Sequence, residues 1–86
     1  MSAPEWRAVA AAFGQAVKLL RTGAGLSQRA LATAAGITLT YLGRLERGLQ
    51  QPALTTLFRI AAALTVDPVV LLRMTMRRME LAKEAV

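Results

Sequence analysis

Glycines set the frame of this chain. Between Ser27 and Arg47 a helical spacing of apolar residues is broken at Gly36, and Gly48 stops it. Glycine has no Cβ and enters the left-handed region freely, so it ends a helix and turns the chain where other residues resist. The stretch before Gly36 is short, Gln28 to Ala35, with Ala30, Leu31 and Ala34 expected on its inner face. Ser27 is its N-cap. Beyond the turn, Ile37 packs, Thr38 caps, and a second short helix is expected from Leu39 to about Arg47 with Leu42 and Leu45 inward. Two short helices joined by a tight turn containing glycine make a helix-turn-helix arrangement, here over residues 27–47.

The flanking segments carry helical periods too. In residues 5–22 the apolar positions Trp6, Val9, Ala10, Phe13, Val17 and Leu20 recur at helical spacing. Thr22-Gly23-Ala24-Gly25 ends that helix, and Leu26 is a staple residue for the next one. After a loop at 49–53, Leu54, Leu57, Phe58, Ala61 and Leu64 stand at core spacing on a fourth helix. Asp67 as N-cap and Pro68 at the first helical position open a fifth, which can run to Ala85. Pro4, Pro52 and Pro68 punctuate rather than interrupt. Five helices without a strand pattern predict an all-α fold, and 86 residues suit one domain spanning 1–86.

Composition narrows the chemistry. The chain has no Cys and no His. That excludes a zinc finger, a disulfide framework, a thiol nucleophile and a Ser-His-Asp triad. The five acids form no paired-carboxylate motif, so no enzyme, metal or cofactor is expected. Eleven Lys+Arg against five Asp+Glu give a formal charge of +6. A positive domain suits a polyanion, nucleic acid or an anionic membrane, although the same charge can serve solubility alone. Nine of the eleven bases are Arg. Arg forks onto phosphates and guanine edges, whereas Lys acts as a point charge. The apolar stretch at 8–13 is too short for a secretory segment or a membrane span, so a cytoplasmic protein off the membrane is expected.

The segment LSQRALATAAGITLTYLGRLERG at 26–48 resembles the phage-repressor-like, XRE-type helix-turn-helix DNA-binding family. The Ser-Gln opening, Leu31-Ala32, the Ala35-Gly36-Ile37 turn and the Leu45-Glu46-Arg47-Gly48 ending stand in that family's register. Phe13-Gly14 with Val17, Leu20 and Arg21 is similar to its first helix. Pro52, Leu57, Ile60-Ala61, Leu64 and Val66 are similar to its fourth. The likeness covers about residues 13–72 and implies a five-helix lambda-repressor-like domain that binds double-stranded DNA. A helix fits the major groove, where each base pair has its own donor and acceptor pattern.

The resemblance also assigns sites. Its base-reading positions fall on Leu39, Thr40, Gly43 and Arg44. Arg44 suits a bidentate guanine contact, Thr40 a phosphate, a base edge or a thymine methyl, and Leu39 only an apolar contact. Gly43 can let the backbone approach DNA or let helices pack closely. Ser27 and Gln28, at a helix N-terminus, suit phosphate, with Ser27 capping as well. Arg29, Thr38, Tyr41, Arg47, Gln50 and Gln51 are further phosphate candidates, and Tyr41 can instead belong to the core. The family's counterpart of Glu46 pairs with the arginine ending the first helix, which predicts an Arg21–Glu46 ion pair. Two positions depart from the pattern. Ala53 stands where Ser or Thr caps the fourth helix, and Thr65 where Gly closes it.

The fifth helix is apolar around most of its circumference. Arg73, Arg77, Glu80 and Glu84 gather on one narrow face. Packing on one core needs a stripe a little over about 100° wide. The surplus predicts a homodimer through Val69, Leu72, Met76 and Met79 on a dimerisation helix at about 68–85, reading an inverted-repeat operator. Small proteins of this shape look like restriction–modification controllers or small phage and plasmid regulators and repressors. The alternative is an antitoxin that binds a toxin and represses its own operon.

Overall fold

The computed structural model describes residues 3–85; Met1, Ser2 and Val86 of the 1–86 span lie outside the described residues. Five helices follow one another: α1 (Trp6–Gly23), α2 (Gln28–Ala35), α3 (Leu39–Glu46), α4 (Leu54–Ala63) and α5 (Pro68–Glu84). No strand occurs among the described residues. No single helix there is long and apolar enough to cross a membrane.

Side-chain caps start three of the helices. The Ser27 Oγ accepts from the Ala30 N–H at 3.0 Å, and the Thr38 Oγ1 from the Tyr41 N–H at 3.1 Å. The Asp67 Oδ1 accepts from the Val69 N–H at 2.8 Å, with Pro68 occupying the position whose N–H would lack a partner. Ala53 leaves α4 without a side-chain cap. Left-handed residues end four helices. Gly25, Gly36 and Gly48 close α1, α2 and α3, and Thr65 closes α4 at φ 55°. A β-branched residue is strained in that region, at a cost of order 1–3 kcal/mol.

Every helix supplies the core. Val17 of α1, Leu31 of α2, Leu42 and Leu45 of α3, Ile60 of α4 and Leu71 of α5 are fully buried. Packing departs from the expected stripes in several places. In α2 the inner arc is Leu31, Ala32 and Ala35, whereas Ala30 and Ala34 are exposed. Alanines surround Leu31 on both sides, so the period offers no contrast to place the arc. In α4 the buried residues are Thr56, Leu57, Ile60 and Ala61, while Leu54 is 70% exposed and Phe58 52% exposed. Two overlapping stripes run along that helix, and the one through Ile60 is inside. Trp6 is also outside, in the first turn of α1, with the Arg7 guanidinium 4.6 Å from its ring centre.

Helix α5 lies mainly along α1, and its axis turns 107° from that of α4. Only Leu71 and Thr75 of α5 are fully inside. The Arg78 Nε donates to the Gln15 Oε1 at 3.0 Å and ties α5 to α1.

Candidate nucleic-acid interface

The turn between α2 and α3 is three residues long, Gly36 to Thr38. It sets α3 against the core through Leu42 and Leu45 and leaves its other face to solvent. Leu39, Thr40 and Arg44 are exposed there. Gly43 is half-buried, yet a Cβ built on it would meet nothing within 4 Å. Close helix packing therefore does not explain this glycine, and the α3 backbone is open to approach from outside.

The back of α3 is held by a buried polar cluster. The Arg21 Nε donates to the Glu46 Oε2 at 2.6 Å, and its Nη2 donates to the Glu46 Oε1 at 3.0 Å. Arg21 Nη1 donates to the Leu26 carbonyl at 2.9 Å. Gln28 Nε2 donates to the same Glu46 Oε1 at 3.0 Å. Burying two charges costs several kcal/mol per ion unless partners satisfy them. Here the fork of Arg21 is matched bidentately, and among the described residues no buried side-chain polar atom is left without a partner. The cluster joins the end of α1, the start of α2 and the end of α3. Gln28 is half-buried, and its amide N–H is engaged with Glu46 rather than turned wholly outward.

Glycines complete this junction. Gly14 sits inside α1, where glycine costs about 1 kcal/mol relative to Ala. A Cβ there would lie 2.3 Å from the Leu45 carbonyl oxygen and 2.7 Å from that of Glu46. Gly48, at φ 72°, would bring a Cβ within 2.9 Å of the Ala11 Cα. The C-terminal end of α3 therefore touches the backbone of α1 directly. The sequence signal for Gly14 was a lone glycine in a helical period otherwise rich in alanine.

The remaining candidates ring α3. Arg29, Arg47 and Gln51 are exposed, as are the capping residues Ser27 and Thr38. Tyr41 is half-buried, and its hydroxyl oxygen accepts from the Ala53 N–H at 3.4 Å. That contact braces the loop before α4, where no side chain caps the helix. Gln50 is half-buried, and its Oε1 accepts from the Arg44 Nε at 2.8 Å. Sequence spacing gave no sign of the Gln28–Glu46 or Arg44–Gln50 contacts, since each depends on how the helices meet.

On α5, Val69, Leu72 and Met76 are exposed, Met76 by 61%. Met79 differs from them. It is half-buried and lines a groove of about 700 Å³ between α5 and the N-terminal half of α1, with Ala8, Ala11 and Met76 among its walls.

The helix-turn-helix family HTH_3 matches residues 17–71. Solved structures agree. The chain is 39% identical to the restriction-modification controller protein C.AhdI from Aeromonas hydrophila, over 72% of this chain and 94% of that one, with a TM-score of 0.71. It is 28% identical to the clp gene regulator ClgR from Corynebacterium glutamicum, over 95% and 84% of the two chains, at a TM-score of 0.86. An HTH_3 family transcriptional regulator from Vibrio cholerae is 30% identical, covering 78% of this chain and 38% of that one, at a TM-score of 0.75. None of the curated proteins matches the sequence.

Proposed function

This chain belongs to the XRE-type helix-turn-helix family of DNA-binding transcription regulators, and from that premise we propose that it acts as a homodimer on an inverted-repeat operator. The outward face of α3 carries this reading. Leu39, Thr40 and Arg44 project from it, and Gly43 leaves room for a groove wall. Arg44 offers paired N–H donors to the O6 and N7 of a guanine, and Thr40 a hydroxyl and a methyl. Leu39 is left an apolar contact with a thymine methyl. Ser27 and Gln28 at the start of α2 approach a phosphate with free backbone N–H groups. Arg29, Thr38, Tyr41, Arg47 and Gln51 follow the sugar-phosphate chain on either side of the groove. In this reading the Arg21–Glu46 pair keeps the one acid of α3 turned away from phosphate.

The second copy covers the apolar face of α5. Val69, Leu72 and Met76 recur there at helical spacing and are exposed, and Leu54 and Phe58 of α4 add two more large exposed apolar side chains. Large contiguous apolar patches on a protein surface mark interaction sites. Two-fold pairing would place two recognition helices about 34 Å apart, one turn of DNA. The likeness to C.AhdI favours a controller-type role among short autonomous regulators. Such a protein works in the cytoplasm, alongside its DNA.

Replacing Arg44 by Ala tests the base-reading assignment. On a duplex selected from a random pool the change should cost about 1–3 kcal/mol and relax preference at one base pair. If discrimination at every position survives, Arg44 is not a reader.

A further inference from the structure

We propose that Gln50 is a positioning residue for Arg44, and that it restricts this arginine to an end-on approach to guanine. The inference rests on the reading above in which Arg44 meets a base. The Leu49 N–H donates to the Arg44 carbonyl at 3.0 Å, and the Gly48 N–H to that of Leu45 at 3.1 Å. Gly48, at φ 72°, turns the chain back along the helix. The same glycine touches the Ala11 backbone of α1, so the turn is fixed to the body of the domain. Gln50 therefore follows a hydrogen-bonded turn and stands beside the side chain six residues earlier.

There its Oε1 accepts from the Arg44 Nε at 2.8 Å. A guanidinium has five N–H donors in a fixed plane. It can fork onto an acceptor pair along the Nε–Nη edge or along the edge between its two Nη atoms. Gln50 occupies the first edge and leaves the second. The second edge matches the O6 and N7 of guanine. A free arginine must also give up rotamer freedom when it enters a groove. Part of that ordering is already done in the unbound protein. Gln50 thus sharpens base choice without touching the base. This differs from a phosphate contact, which would strengthen binding to every sequence alike.

A double-mutant cycle tests the proposal. The probe is a duplex selected by the wild-type protein from a randomised pool, together with its single-base-pair variants. Gln50→Met keeps the side-chain length and removes the acceptor. It should reduce discrimination at the base pair read by Arg44 about 3- to 10-fold, the range expected for one net hydrogen bond. Discrimination elsewhere and affinity for a scrambled duplex should not change. In an Arg44→Ala background Gln50→Met should have no further effect. Gln50→Glu, which retains the acceptor, should restore discrimination at that pair while its charge weakens binding to all duplexes. Gln50→Met weakening every duplex equally would overturn the proposal and make Gln50 a phosphate contact. So would an equal loss with and without Arg44, or no loss at a base pair that Arg44→Ala does affect. If Arg44→Ala itself changes no preference, the base-reading assignment fails and the proposal with it.

Discussion

The two sides of this domain are built by opposite rules. On the α1–α3 side the contacts are short and specific: backbone touches backbone at Gly14 and Gly48, and a buried arginine is satisfied by Glu46 and Leu26. On the α4–α5 side large apolar groups face outward, among them Phe58, Leu72 and Met76. The contrast teaches where a small chain invests its rigidity. On the proposed reading, base edges need a recognition helix held at one angle, which the groups behind α3 supply, and a second copy needs area, which α5 offers.

Three substitutions test that contrast. The largest effect is expected from Glu46→Ala. It leaves the Arg21 guanidinium buried without its counter-charge and removes the acceptor of Gln28. Breaking a buried pair from one side costs about 3–5 kcal/mol, which denaturant unfolding would read as a lower midpoint. A loss under about 1 kcal/mol, the scale of an exposed pair, would mean that water reaches the cluster freely.

Gly14→Ala comes next. Its Cβ would meet the Leu45 carbonyl oxygen at 2.3 Å, so α3 must move away from α1. Overpacking of this kind costs about 1–3 kcal/mol, and operator affinity should fall further than stability alone explains. A neutral outcome, given that Ala otherwise favours a helix, would show that the junction yields easily.

The smallest folding effect belongs to Met76→Glu on α5. Monomer stability should change by no more than about 0.5 kcal/mol, as for other surface sites. Its sedimentation mass should nevertheless drop from that of a dimer to that of the 9.2 kDa chain. An unchanged mass would remove α5 as the pairing surface.

Legibility in the sequence follows the same division. Helix ends were readable because the Ser27, Thr38 and Asp67 side chains cap backbone within a few residues, and Gly36 and Gly48 turn their own backbone. Arg21 and Glu46 were readable only through the family resemblance. The inner arcs of α2 and α4 were not. Alanine on every side of Leu31 and two overlapping stripes around Phe58 leave the choice of face to tertiary packing. The position of Met79 on α5 likewise does not reveal that α1 borders it. The hydrogen bonds from Gln28 to Glu46 and from Arg44 to Gln50 join residues whose proximity arises only once α3 is docked and its exit turned by Gly48.

Sequence-selective binding is the claim on which the rest depends. Gel-shift titration of the wild-type protein, at one fixed salt concentration, should compare a selected inverted-repeat duplex with a scrambled duplex of the same composition. The inverted repeat should bind at least about 10³-fold more tightly. Equal affinity for both duplexes would contradict it, leaving a basic surface that holds DNA without reading it.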